Sequence, residues 1–161
     1  MKPTEFGELV KRFSARPTIV PAGGRHMYLW HGEASTLDTH LPHDNVARLD
    51  LHQLTRTLEQ KPTDLDAVRR VLERAIQDWL RDHRPRDGVQ QIITVIGCDL
   101  LMRYRLSMGT FFQAVGDSLM VILIAPPYPA PSRPLPRYVD FKPSATFDYL
   151  KSLLPDPVIV E

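Results

Sequence analysis

The sequence predicts an α/β fold: a three-layer domain around a mostly parallel sheet of about five strands. Three observations carry this. Gln91-Ile92-Ile93-Thr94-Val95-Ile96 and Leu119-Met120-Val121-Ile122-Leu123-Ile124-Ala125 are apolar runs without polar alternation, so both of their faces must be covered. Strand-like runs alternate with segments of helical period, and such alternation implies parallel strands joined by right-handed crossovers. The chain has 161 residues, 43% apolar and 24% charged, which suits one domain spanning 1–161. A chain of this size buries roughly 70% of the surface that its unfolded form exposes.

Phe6, Leu9, Val10 and Phe13 recur at helical spacing and predict a short amphipathic helix over 4–14. Pro17, Pro21, Gly23 and Gly24 break the chain, and Met27-Tyr28-Leu29-Trp30 reads as a buried strand turned by His31-Gly32-Glu33. Ser35 with Asp38 forms a capping-box pattern ahead of a turn of helix. Val46–Leu51 is the second strand, and a helical stretch from Gln53 to Gln60 follows it. Thr63 is placed to cap the long helix from Asp64 to His83, which turns Leu72, Ile76, Trp79 and Leu80 toward the sheet. Trp79 is expected to be well buried there, so its truncation should cost about 3–5 kcal/mol. Short helices are expected over Asp99–Met102 and Ser107–Ala114, on either side of Arg103-Tyr104-Arg105. Prolines 126, 127, 129, 131, 134 and 136 make 126–136 a stiff loop. Tyr138–Phe141 reads as a fifth, edge strand, Ser144 as the cap of a last helix, and Pro155–Glu161 as a tail.

Composition excludes several classes of chemistry. Twenty Lys and Arg against 19 Asp and Glu leave no basic surplus for a dedicated nucleic-acid binder. The single Cys98 rules out a disulfide framework and any Cys-rich zinc site. No apolar run approaches the ~18 residues of a membrane span, and the opening residues do not resemble a signal peptide, so cytoplasm is the expected compartment.

Ligands of open parallel sheets bind at the carboxyl ends of the strands, here His31-Gly32-Glu33, Leu51-His52, Gly97-Cys98-Asp99 and Ala125-Pro126-Pro127. A P-loop needs glycines and a Lys after the first strand, yet one Gly, no Lys and the repelling Glu33 stand there. Asp99 comes two positions late for a magnesium-holding acid at a strand end, and Pro126-Pro127 stands where a polar sensor would be. Neither a P-loop, its acidic partner nor a Gly-x-Ser-x-Gly elbow is intact, and no cofactor is implied. Two enzymatic or metal alternatives remain: a hydrolase built on Cys98 with His26, His31 or His52, and a metal site at His40 and His43 with His31, Asp38 or Asp44. A third reading is DNA contact through the Arg69–Arg86 helix, although Glu73, Asp78 and Asp82 interrupt its basic run and Asp78 and Asp82 should pair with Arg74 and Arg81.

The order of Tyr28-Leu29-Trp30, Ala47–Leu54, a long helix, Ile93–Arg105 and Met120–Pro127 resembles the BrxB-like small proteins of BREX bacteriophage-defence systems. The BrxF-like P-loop components of the same systems are the neighbouring possibility. Gly97 and Arg103 match the BrxB-like turn, while its Pro is absent, as is the BrxF-like P-loop. The resemblance implies a degenerate P-loop frame and a non-catalytic adaptor that binds a PglZ-like protein, with nucleic acid not contacted directly. Arg103, Tyr104, Arg105, Tyr128 and Leu135 are the candidate partner-binding residues, an apolar patch with a basic rim.

Overall fold

The computed structural model describes residues 1–15, 20–21, 23–58, 62–127 and 144–161. The expected strand at Tyr138–Phe141, together with Tyr128 and Leu135, lies outside them. In chain order the elements are α1 (Pro3–Ala15), β1 (Met27–His31), α2 (Ala34–Asp38), β2 (Val46–Asp50), α3 (Leu51–Arg56), α4 (Leu65–Asp82), β3 (Gln91–Ile96), α5 (Asp99–Arg103), α6 (Gly109–Ala114), β4 (Leu119–Ala125) and α7 (Ala145–Leu153). A 3₁₀ turn over Asp156–Val158 then leads into β5 (Ile159–Val160).

The sheet has the order β2-β3-β4-β1-β5, and every described pairing is parallel. The three-layer α/β expectation therefore holds. Pro155–Glu161 is more than a tail: Ile159 and Val160 pair with Leu29 and Trp30 and form the edge beside β1. Alternate residues of β1 face opposite layers. Tyr28 and Trp30 meet Phe6 of α1, with centroids 5.2 and 6.0 Å away, and His31 stacks on Phe147 of α7 at 3.8 Å. Helices α1 and α2 cover one face; α4 to α7 cover the other. Right-handed crossovers dictate this division, because β1 to β2 crosses the sheet in the direction opposite to every later connection.

Local chemistry sets the element ends. Asp50 accepts the Gln53 amide at 3.1 Å, so the helix after β2 starts at Leu51 rather than Gln53. Asp64, not Thr63, caps α4 by accepting the Ala67 amide at 3.0 Å. Ser35 forms no capping box: the residue at the start of α2 is Glu33, and Asp38 pairs instead with Arg48 of β2. Ser144 makes no backbone cap either; its hydroxyl donates to Asp148 at 2.8 Å.

Leu72, Ile76 and Leu80 of α4 are buried as expected. Trp79 is not. It is half-buried at the rim, with the His83 ring stacked on it at 3.7 Å and the His83 Nδ1 2.8 Å from its carbonyl oxygen. The rim position lowers the expected cost of Trp79→Ala to about 1–2 kcal/mol, whereas Ile76→Ala should cost about 2–5 kcal/mol. Urea unfolding of the two variants checks that order, and equal losses would contradict it.

Candidate functional site

The switch point of this sheet lies between β1 and β4. The connection after β1 runs across β4 and β3 to β2, while that after β4 runs the other way to β5, so the crevice that opens in such sheets falls outside the carboxyl ends of these two strands. His31, Gly32 and Glu33 stand there beside Ala125 and Pro126. The Gly32 amide donates to the Ala125 carbonyl at 3.2 Å and extends the ladder one step past the strand. A Cβ on Gly32 would stand 2.7 Å from Trp30 Nε1, so the backbone here lies directly on the indole. The Glu33 carbonyl collects the amides of Thr36 and Leu37 and the Thr36 hydroxyl, and its carboxylate is exposed at the start of a five-residue helix. A phosphate would meet a committed amide and a negative charge. On the other face, His31 Nδ1 lies 3.9 Å from Glu161, whose carboxyl is held below its usual range mainly by a 2.8 Å hydrogen bond from Lys151.

A second cluster forms at the ends of β2 and β3. The register sets Asp50 beside Ile96, so the residues that follow, His52 and Asp99, meet: His52 Nε2 is 2.7 Å from Asp99 Oδ1. Arg103, one turn along α5, approaches the other carboxylate oxygen at 3.6 Å. Gly97 has φ +75°, and a Cβ on it would stand 2.8 Å from His52 Cδ2. Asp99 orients the imidazole, fixes which nitrogen bears its proton, and spends its remaining charge on Arg103.

Cys98 sits between these residues without joining them. Its thiol is buried and donates to the Val95 carbonyl at 3.3 Å. Burial, reinforced by the Asp99 carboxylate, pushes it up to about 12. The thiolate is the nucleophile, and burial strongly disfavours it here. Cys98 should therefore resist an aromatic disulfide reagent in the folded protein at pH 8 and react fully once unfolded in urea. Stoichiometric labelling of the native protein would contradict the burial.

His26 does not approach this cluster; it packs edge-on against Phe13 at 4.9 Å, before the amino end of β1. His40 lies against the Trp30 ring at 5.6 Å, His43 is exposed at the surface of the α2–β2 connection, and Asp38 is taken by Arg48. Among the described residues no group of three or more His, Cys, Asp or Glu is set to hold a metal ion. On α4, Arg81 pairs with Asp78 at 2.9 Å and reaches Asp82 at 3.8 Å, but Arg74 takes neither, contrary to expectation.

The structure separates Arg103, Tyr104 and Arg105 at the end of α5. Arg103 turns to Asp99, and Tyr104 is half-buried against the core with its carbonyl receiving Arg69 Nε at 3.0 Å. Arg105 is exposed. Sequence reasoning missed the His52–Asp99 pair and the Arg69–Tyr104 bond, both of which depend on which elements are neighbours. Two clefts, of about 290 and 220 Å³, lie at the opposite end of the sheet, beside Leu119 and Met27 respectively. No described helix is long and apolar enough to cross a membrane. Comparison with protein-family models, with curated proteins and with solved structures yields no match.

Proposed function

We propose that the chain is a non-catalytic interaction component, an adaptor in a cytoplasmic anti-phage defence complex of the BREX type, and that it binds a PglZ-like protein. One observation carries the non-catalytic part: at the switch point the Gly32 amide is tied to the Ala125 carbonyl and the exposed Glu33 carboxylate stands beside it. A frame of this kind, read as a P-loop sheet without its loop, is kept for its surface, since fold and function separate readily. The buried, protonated Cys98 thiol weighs against the hydrolase alternative. The BREX assignment and the partner rest on the order of strand and turn segments described above.

The test is co-expression of the tagged chain with a PglZ-like protein encoded beside it. The adaptor reading expects a complex of fixed stoichiometry that survives size-exclusion chromatography. Failure of the two purified proteins to associate at micromolar concentration would overturn it.

A further inference from the structure

Helix α5 ends in a Schellman motif. The Arg105 amide donates to Met102 at 3.2 Å, the Leu106 amide donates to Leu101 at 3.0 Å, and Leu106 packs into the core beside Leu101. The motif requires a left-handed residue, and Arg105 fills that position with φ +48°. Glycine fits there without steric cost, whereas the Cβ of an L-residue crowds the following carbonyl oxygen. Backbone strain held by its surroundings is a pointer to function when the strained side chain has something to do.

The side chain is aimed at solvent beside α4. Two bonds fasten the turn to that helix: Arg69 Nε to the Tyr104 carbonyl at 3.0 Å, and the Ser107 amide to Glu73 Oε1 at 2.8 Å. Leu72 and Ile76 face the sheet and Arg69 and Glu73 face the turn, so Arg70 and Arg74 form the outer edge next to it. Arg70, Arg74 and Arg105 are exposed. None of them has an acidic partner among the described residues, in contrast to Arg81 and Arg48. The acids of this stretch have other contacts: Asp66 lies 3.5 Å from Arg69, Glu73 accepts the Ser107 amide, and Asp78 is 2.9 Å from Arg81.

We propose that the corner formed by α4 and the turn after α5 is a docking surface for an acidic segment of a partner protein, gripped by Arg70, Arg74 and Arg105. This rests on the adaptor reading and names the chemistry of what the adaptor holds. Charge complementarity selects the occupant. Three exposed guanidiniums without an ion pair among the described residues match a short run of carboxylates, with Arg favoured at interfaces for its planar fork. A nucleic-acid track would need a longer basic run, and on this helix Arg81 is already neutralised.

The probe is a fluorescein-labelled peptide of five Glu-Asp-Gly repeats, read by anisotropy at low salt against a Gln-Asn-Gly control and a single-stranded oligonucleotide of equal length. The acidic peptide is expected to bind, and the combined Arg70→Glu, Arg74→Glu, Arg105→Glu variant to weaken it at least tenfold, while Arg84→Glu leaves it unchanged. Arg105→Gly separates docking from folding: relief of the left-handed strain should raise the melting temperature by about 2–4 °C while peptide affinity falls. A wild-type chain that ignores the peptide, a triple variant that binds as wild type, or an oligonucleotide that binds more tightly at the same arginines would overturn the proposal. If the triple variant still co-purifies with the PglZ-like partner at full strength, this surface is wrong and the adaptor reading stands. If the wild-type chain binds the peptide yet no partner, the surface stands and that reading fails.

Discussion

Replacing Phe6 by alanine should cost about 3–5 kcal/mol, a large fraction of the 5–15 kcal/mol that holds a typical domain together. Phe6 is fully buried and fastens α1 to the sheet. Its ring stands edge-on to Tyr28 at 5.2 Å and tilted to Trp30 at 6.0 Å, so truncation removes buried area and two aromatic contacts together. The neighbours cannot close the gap, because Tyr28 and Trp30 are fixed in a central strand between β4 and β5. Denaturant unfolding should show the midpoint falling with little change in slope. A loss below about 1 kcal/mol would mean that α1 does not pack on this face.

Gly97→Ala is expected to be the second costly change, at about 2–4 kcal/mol. At φ +75° alanine pays the left-handed penalty of about 1–2 kcal/mol. Its Cβ would also stand 2.8 Å from His52 Cδ2 and 3.2 Å from the His52 backbone nitrogen. The ring can turn away only by loosening its 2.7 Å contact with Asp99, and the backbone nitrogen cannot move without unseating the first turn of α3. Gly88 supplies the control. It has φ +76°, and an added methyl group there would meet nothing within 4 Å, so Gly88→Ala bears the conformational penalty alone. The gap between the two variants, about 1–2 kcal/mol, measures the contact with His52. Equal losses would show that the Gly97 turn does not rest on that histidine.

Much of this frame is legible in the sequence. Gln91–Ile96 and Leu119–Ala125 stand out because unbroken apolar runs end at glycine, proline or polar residues, and α1 shows its buried face through Phe6, Leu9, Val10 and Phe13. Two-residue β5 is too short for periodicity to reveal, although Val158-Ile159-Val160 is an apolar, β-branched run that hints at it. Trp79 shares the helical spacing of Ile76 and Leu80 but falls at the rim, where period alone does not separate core from edge.

The candidate site was legible only in its parts. His52 and Asp99 each lie just past a strand end and are 47 residues apart. Only the β2–β3 register makes them partners. Arg103 turns to Asp99 for a local reason, the i,i+4 spacing along α5, and so leaves the surface patch to which its sequence neighbours point. The strain at Arg105 is likewise invisible in sequence, because nothing local announces that this position is left-handed.

Titration of magnesium-ATP into the folded protein by calorimetry tests the central claim, that the carboxyl end of this sheet is closed to nucleotide and the molecule works through its surface. The Gly32 amide bound to Ala125 and the Glu33 carboxylate at the crevice lead to an expectation of no saturable heat up to millimolar nucleotide. A saturating isotherm with micromolar affinity, lost when Gly32 is changed to valine, would contradict it.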